Sequence, residues 1–117
     1  GTEEAIDVLA TALGTNQMTF MLGSSLEALL PTEERRLRGL SPRDRSGDEK
    51  IVPMLTQLLN DRSTLEGSKL RVRDFVVRDL AENAPETCPG FPASDSTADR
   101  DEKAQEWIDY VRGLAAN

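Results

Sequence analysis

The stretch KIVPMLTQLLNDRSTLEGSKLRVRDFVVRDLAEN, residues 50–83, decides the fold. Ile51, Val52, Met54, Leu55, Leu58 and Leu59 cover most of the circumference of a helix over 49–60, so burial on more than one side is expected. Pro53 falls in its first or second turn, where a proline is either tolerated or bends the helix. The polar loop DRSTLEGS, 61–68, ends in Ser68, a residue suited to capping a second helix over 69–82. On a wheel of about 100° per residue, Val72, Val76, Val77 and Leu80 form one face, and Arg73 falls inside that arc. A long cation beside an apolar face needs a partner or a route to solvent. Asp61, at the end of the preceding helix, is the natural partner; the alternative is that Arg73 extends to water unpaired.

Outward from this pair the same reading gives further helices. One is expected over 3–14, with Thr2 as cap, Glu3 and Glu4 at its positive end, and Gly14 as stop. Another spans 17–30, where Met18, Leu22, Leu26 and Leu29 recur at helical steps and Pro31 ends the run. The segment 31–50 holds one or two helical turns after Thr32, then loop punctuated by Gly39, Pro42 and Gly47. The clearest helix covers 97–115: Ser96 or Thr97 caps it, and Ala104, Trp107, Ile108, Val111 and Leu114 form one stripe. Between 83 and 96 three prolines and a glycine forbid regular structure, with Phe91 as the expected anchor of that loop to the core. No run alternates in the manner of a strand. The class is all-α, in about five helices within one domain over 1–117, read either as a single domain or as a piece of a larger chain.

Two helix pairs joined by short loops suggest a repeat, with units near 2–30 and 48–83. Leu9 and Leu13 align with Leu55 and Leu59, and Leu22, Leu26 and Leu30 align with Val72, Val76 and Leu80. The segments LLND and VRDFVVRDLAEN resemble the HEAT-like and armadillo-like helical repeats over about 50–83, and only weakly over 2–30. Those repeats place an Asp at the close of the first helix and Val-Arg at the opening of the second; Asp61, Val72, Arg73, Val76 and Leu80 stand at those positions. The resemblance implies an Asp61–Arg73 structural polar pair, two antiparallel helix pairs stacked as a short solenoid, and the last helix as its cap. The tail FPASDSTADRDEKAQEWIDYV resembles the segment that follows such repeats in many large bacterial proteins. The loop 61–68 is longer than usual in that family, and 31–47 is an insertion.

Composition limits the chemistry. The 117 residues carry a net charge of −7, which argues against wholesale wrapping of nucleic acid. The chain has no His and one Cys, so the commonest general base and metal ligand are missing and no internal disulfide can form. Cys88 sits beside Pro89 with no basic neighbour to activate it. The LGSS at 22–25 lacks phosphate-loop spacing. Asp99, Asp101 and Glu102 read as charges at a helix N-terminus rather than as a metal cluster. No catalytic, cofactor or metal residue is assigned, and no apolar run is long enough for a membrane span. Localisation stays open between the cytoplasm and export as a soluble domain after loss of an upstream signal.

Two surface features carry a functional expectation. Arg71, Asp74, Phe75 and Arg78 face away from the valines, and an exposed Phe flanked by arginines has the composition of a protein-contact hot spot. The bland alternative is that a neighbouring element, such as the 84–96 loop, covers Phe75. Arg35, Arg36, Arg38, Arg43 and Arg45 cluster within one segment, with Glu33, Glu34 and Asp44 among them. They read as a solvated loop, or as a contact for phosphate or an acidic partner. The leading expectation is a non-catalytic protein-binding or scaffolding domain whose partner is another protein or the rest of its own chain. The alternatives are a nucleic-acid or phosphate-binding repeat module using 35–45, and an accessory domain of a larger enzyme.

Overall fold

The computed structural model describes residues 17–65 and 69–116, and those residues are all-α. The helices are α1 (17–29), α2 (Thr32–Leu37), α3 (Asp48–Asn60), α4 (Val72–Asn83) and α5 (Thr97–Ala116). The helix expected over 3–14 lies outside the described residues, and so does half of the first repeat unit. Among the described residues there is no strand, and only an isolated bridge pairs Thr64 with Arg71.

Helical periodicity translates directly into burial. Met18, Leu22, Leu26 and Leu29 of α1 are fully buried, as are Leu55, Leu58 and Leu59 of α3. From α4 come Val72, Val76, Val77 and Leu80, and from α5 come Ala104, Trp107, Ile108 and Val111. All belong to one core cluster, with Ile51, Val52, Met54 and Leu114 packed against it from its edge. α3 packs on both α4 and α5, more extensively on α5, and α4 also touches α5. The last helix therefore shares the core of the α3–α4 pair along its length. Pro53 lies inside α3 on the exposed side. Its missing N–H removes one ladder bond from a position that faces water.

Helix boundaries follow from local chemistry. Ser96 caps α5, its hydroxyl accepting the Asp99 N–H at 3.2 Å. α2 closes in a Schellman motif: Gly39 adopts φ +75°, its N–H reaches the Arg36 carbonyl at 3.0 Å, and the Leu40 N–H reaches the Arg35 carbonyl at 2.9 Å. The expected cap Ser68 lies outside the described residues, but α4 begins at Val72 rather than 69. The reason is the preceding loop. Leu65 N–H bonds to the Leu70 carbonyl at 2.9 Å, and Arg71 itself is extended, with φ −76° and ψ 160°. The first N–H groups of α4 are then satisfied by that loop: Val72 donates to Ser63 at 2.8 Å and Arg73 donates to Asp61 at 2.9 Å.

The loop between α4 and α5 corrects an expectation. Phe91 does not anchor it, being 54% exposed. The loop is held by its main chain instead: the Trp107 indole N–H donates to the Gly90 carbonyl at 2.9 Å, and Lys103 Nζ donates to the Pro89 carbonyl at 3.0 Å. Gly90 takes φ +79°, a conformation that favours glycine, and so presents this carbonyl. Trp107 is fully buried and meets Tyr110 edge to face at 5.3 Å between centroids.

Candidate interaction site

Arg73 is 3% exposed and pairs, but not through the expected carboxylate. Arg73 Nε donates to the Leu59 carbonyl at 2.9 Å, and Nη1 donates to Asp101 Oδ1 at 3.0 Å. Asp61 offers Arg73 its main-chain carbonyl, while its side chain accepts the Ser63 N–H at 2.9 Å in an Asx turn. The predicted Asp61–Arg73 side-chain pair is thus replaced by an Arg73–Asp101 pair. Physically, the Asp61 carboxylate is engaged in the turn, while α5 delivers Asp101 alongside the start of α4.

Around Arg73 the N-terminal ends of α4 and α5 come together, and both ends carry partial positive charge. Acids placed there offset it. Arg71 makes a bidentate pair with Asp74, both contacts at 2.9 Å, and also reaches Asp101 at 2.8 Å. Asp74 accepts the Arg71 backbone N–H at 3.2 Å, the returning half of a capping box. Arg100 bridges Asp74 at 3.7 Å and Asp95 at 3.4 Å. Burial pushes the Asp74 carboxyl up, but the hydrogen bonds from Arg71 outweigh it and hold the group below the usual carboxylate range. Asp101 is held low in the same way, burial again being outweighed by its Arg71 and Arg73 neighbours. Asp101 and its neighbours thus serve the junction of two helices.

The expected hot spot on α4 is consequently rearranged. Phe75 is 7% exposed and joins the core, so it offers no surface to a partner. Arg71 and Asp74 are spent on each other and on α5. Arg78 alone of the four is exposed, with its guanidinium 5.7 Å from the centre of the Phe75 ring. The aromatic that is accessible beside it is Phe91. Leu70, Val77, Arg78, Phe91, Pro92 and Arg100 line a groove of about 290 Å³ between α4 and the following loop. The wheel gave the correct side for Arg78, but Phe91 was missed because a loop residue has no periodicity to report its exposure.

The arginine segment is mostly internal scaffolding. Arg35 donates to the Ser41 carbonyl at 2.6 Å and also to the Glu27 carbonyl near the end of α1. Arg38 donates to the Asn83 carbonyl, the last of α4, at 2.9 Å. Arg43 pairs in a fork with Asp48 at the start of α3, at 3.0 and 2.7 Å. Arg36 makes an exposed pair with Glu33 at 3.3 Å, and Arg45 is exposed. The five therefore do not converge into an anion site. Their common theme is helix termini: Arg35, Arg38 and Arg73 each bond a carbonyl in the last turns of α1, α4 and α3, while α3 and α4 have no basic residue in their own last turns. Cations there satisfy carbonyls that the helix leaves open and match the dipole.

A second groove, of about 660 Å³, was not foreseen from sequence. Pro31, Ala84, Pro85, Tyr110 and Leu114 line it together with Glu33, Glu34, Glu86 and Thr87. These residues come from three distant parts of the chain, and no motif joins them. Burial raises the Tyr110 phenol above its ordinary range.

No protein-family model, curated protein or solved structure matches the chain. No described helix is long and apolar enough to cross a membrane.

Proposed function

We propose that the chain is a non-catalytic protein-interaction or scaffolding domain built from HEAT-like helical repeats. The observation that carries this reading is the groove where exposed Phe91 stands beside exposed Arg78. An arginine and an aromatic are residue types enriched in protein contacts, and here they stand over a mixed lining of Leu70, Val77 and Pro92 with Asp74, Asp95 and Arg100. The repeat reading draws support from the all-α architecture and from the α3–α4 unit, where Asp61 and Arg73 tie the close of one helix to the opening of the next. The non-catalytic reading draws support from a chain without His and from charged side chains largely committed to helix ends and to each other. A phosphate-binding role for the arginine segment has weaker support, since Arg35, Arg38 and Arg43 are held by internal partners.

The test is capture from a lysate of the source, with and without nuclease, beside the variant Arg78→Ala with Phe91→Ala. Both residues are exposed, so the fold is expected to survive their truncation. A protein captured despite nuclease and lost with the double variant supports the reading. Capture that disappears with nuclease alone would transfer the function to nucleic acid.

A further inference from the structure

We propose that the groove floored by Tyr110 and Leu114 is a docking site for a basic peptide segment of a partner protein. This rests on the reading of the chain as an interaction domain and names the chemistry of one partner. Three carboxylates, Glu33, Glu34 and Glu86, stand among the groove-lining residues, and no cation does. Pro31, Ala84, Pro85, Tyr110 and Leu114 supply an apolar floor beneath that acidic rim. A lysine or arginine fits both: its methylene stem covers apolar surface while its charged head remains at the rim.

The rim glutamates are not locked away from such a ligand. Glu33 meets Arg36 across an exposed pair at 3.3 Å, and Glu34 meets Arg38 at 3.3 Å. The first is solvent-exposed and therefore weak, while the second is half-buried. Arg38 also has a stronger anchor at 2.9 Å in the Asn83 carbonyl, so it can remain in place when Glu34 turns to a ligand. Glu86 is exposed and makes no ion pair among the described residues. The whole molecule adds to the local pattern. With 21 acidic against 14 basic residues, its field draws a basic segment in and repels an acidic one. The groove volume is within the range of built ligand sites, roughly 300–1,000 Å³.

The experiment is a fluorescence-anisotropy titration of the full chain with a labelled peptide, Gly-Leu-Lys-Leu-Arg-Gly. The same peptide with Glu for Lys and Arg, and with Ser for both Leu, serves for comparison. The groove variant is Glu86→Lys with Glu34→Gln. A variant with the same change in net charge elsewhere, Glu49→Lys with Glu102→Gln, reports the nonspecific field, and circular dichroism checks that both fold. The expected result is saturable binding of the basic peptide alone, weakened about tenfold by the groove variant and less than about twofold by the matched-charge variant. Equal weakening by both variants would reduce the effect to net charge and overturn the site. Absence of binding to the basic peptide would overturn it as well. If lysate capture through Arg78 and Phe91 persists in either of those cases, the interaction-domain reading stands and only this groove assignment falls.

Discussion

Arg73, at the start of α4, donates its Nε–H to the carbonyl of Leu59, near the end of α3, at 2.9 Å. Its other arm reaches Asp101 of α5 at 3.0 Å. One buried cation thus ties three helices, and it does so at a helix end where an open carbonyl would otherwise be left in the core. Two directed partners, a carbonyl and a carboxylate, offset part of the desolvation cost of burying Arg73, while burial still pulls its pKa below the ordinary guanidinium value.

Double-mutant cycles test this arrangement. Arg73→Met is expected to cost about 2–4 kcal/mol, because the Leu59 carbonyl loses its donor and Asp101 loses one of two cations. The coupling of Arg73 with Asp101→Asn is expected to exceed its coupling with Asp61→Asn, by about 1 kcal/mol in urea denaturation. The reverse order would restore Asp61 as the partner and contradict the observed geometry.

The arginine segment should separate into two groups. Arg38→Ala removes a donor from the last carbonyl of α4, and Arg43→Ala breaks a fork with Asp48. Each is expected to lower stability by about 1–2 kcal/mol. Arg36→Ala and Arg45→Ala alter exposed side chains and are expected to stay within about 0.5 kcal/mol. Chemical denaturation of the four variants checks this. Uniform small effects would mean that the caps contribute nothing to the fold.

Trp107 fills the core and pins the preceding loop through Gly90. Trp107→Ala is expected to cost about 3–5 kcal/mol. Trp107→Phe keeps most of the volume and loses the indole donor, for a cost of about 1–2 kcal/mol. Hydrogen exchange in the 84–96 loop should rise in the Phe variant more than elsewhere. A far smaller loss for the Ala variant would mean that α5 does not pack as described.

Asp79 gives a pH dependence of opposite sign to Asp74 and Asp101. It is buried at 7% exposure, one carboxylate oxygen lacks a hydrogen bond, and desolvation raises its pKa above 3.8 despite a hydrogen bond from Thr19. A raised carboxyl binds its proton more tightly in the folded state, so its contribution to stability falls as pH rises from about 4 through the folded pKa. Asp74 and Asp101 are lowered, so their contribution is present at neutral pH and is lost as pH falls below about 4. Asp79→Asn is expected to stabilise the protein by about 1 kcal/mol at pH 7 and by almost nothing at pH 3. Equal effects at the two values, measured in urea, would show that Asp79 is not desolvated.

What the sequence determined by itself was the helical framework from residue 17 onward. The intervals among Met18, Leu22, Leu26 and Leu29, and among Ala104, Trp107, Ile108 and Val111, describe helix faces directly. Pro31 and Ser96 marked ends through effects that act within a few residues. Those signals are legible because they depend on neighbours in the chain. The partners of the charged side chains are decided only in the tertiary structure. Arg73 meets a residue 28 positions away, Arg38 one 45 positions away, and no local rule relates them. The same reason explains Phe75 and Phe91. A helical wheel reports the side on which Phe75 lies but not what packs over that side, and it is silent about Phe91 in a loop. The acid-rimmed groove is the extreme case, since residues near 31, 85 and 110 become one surface only after the helices have packed.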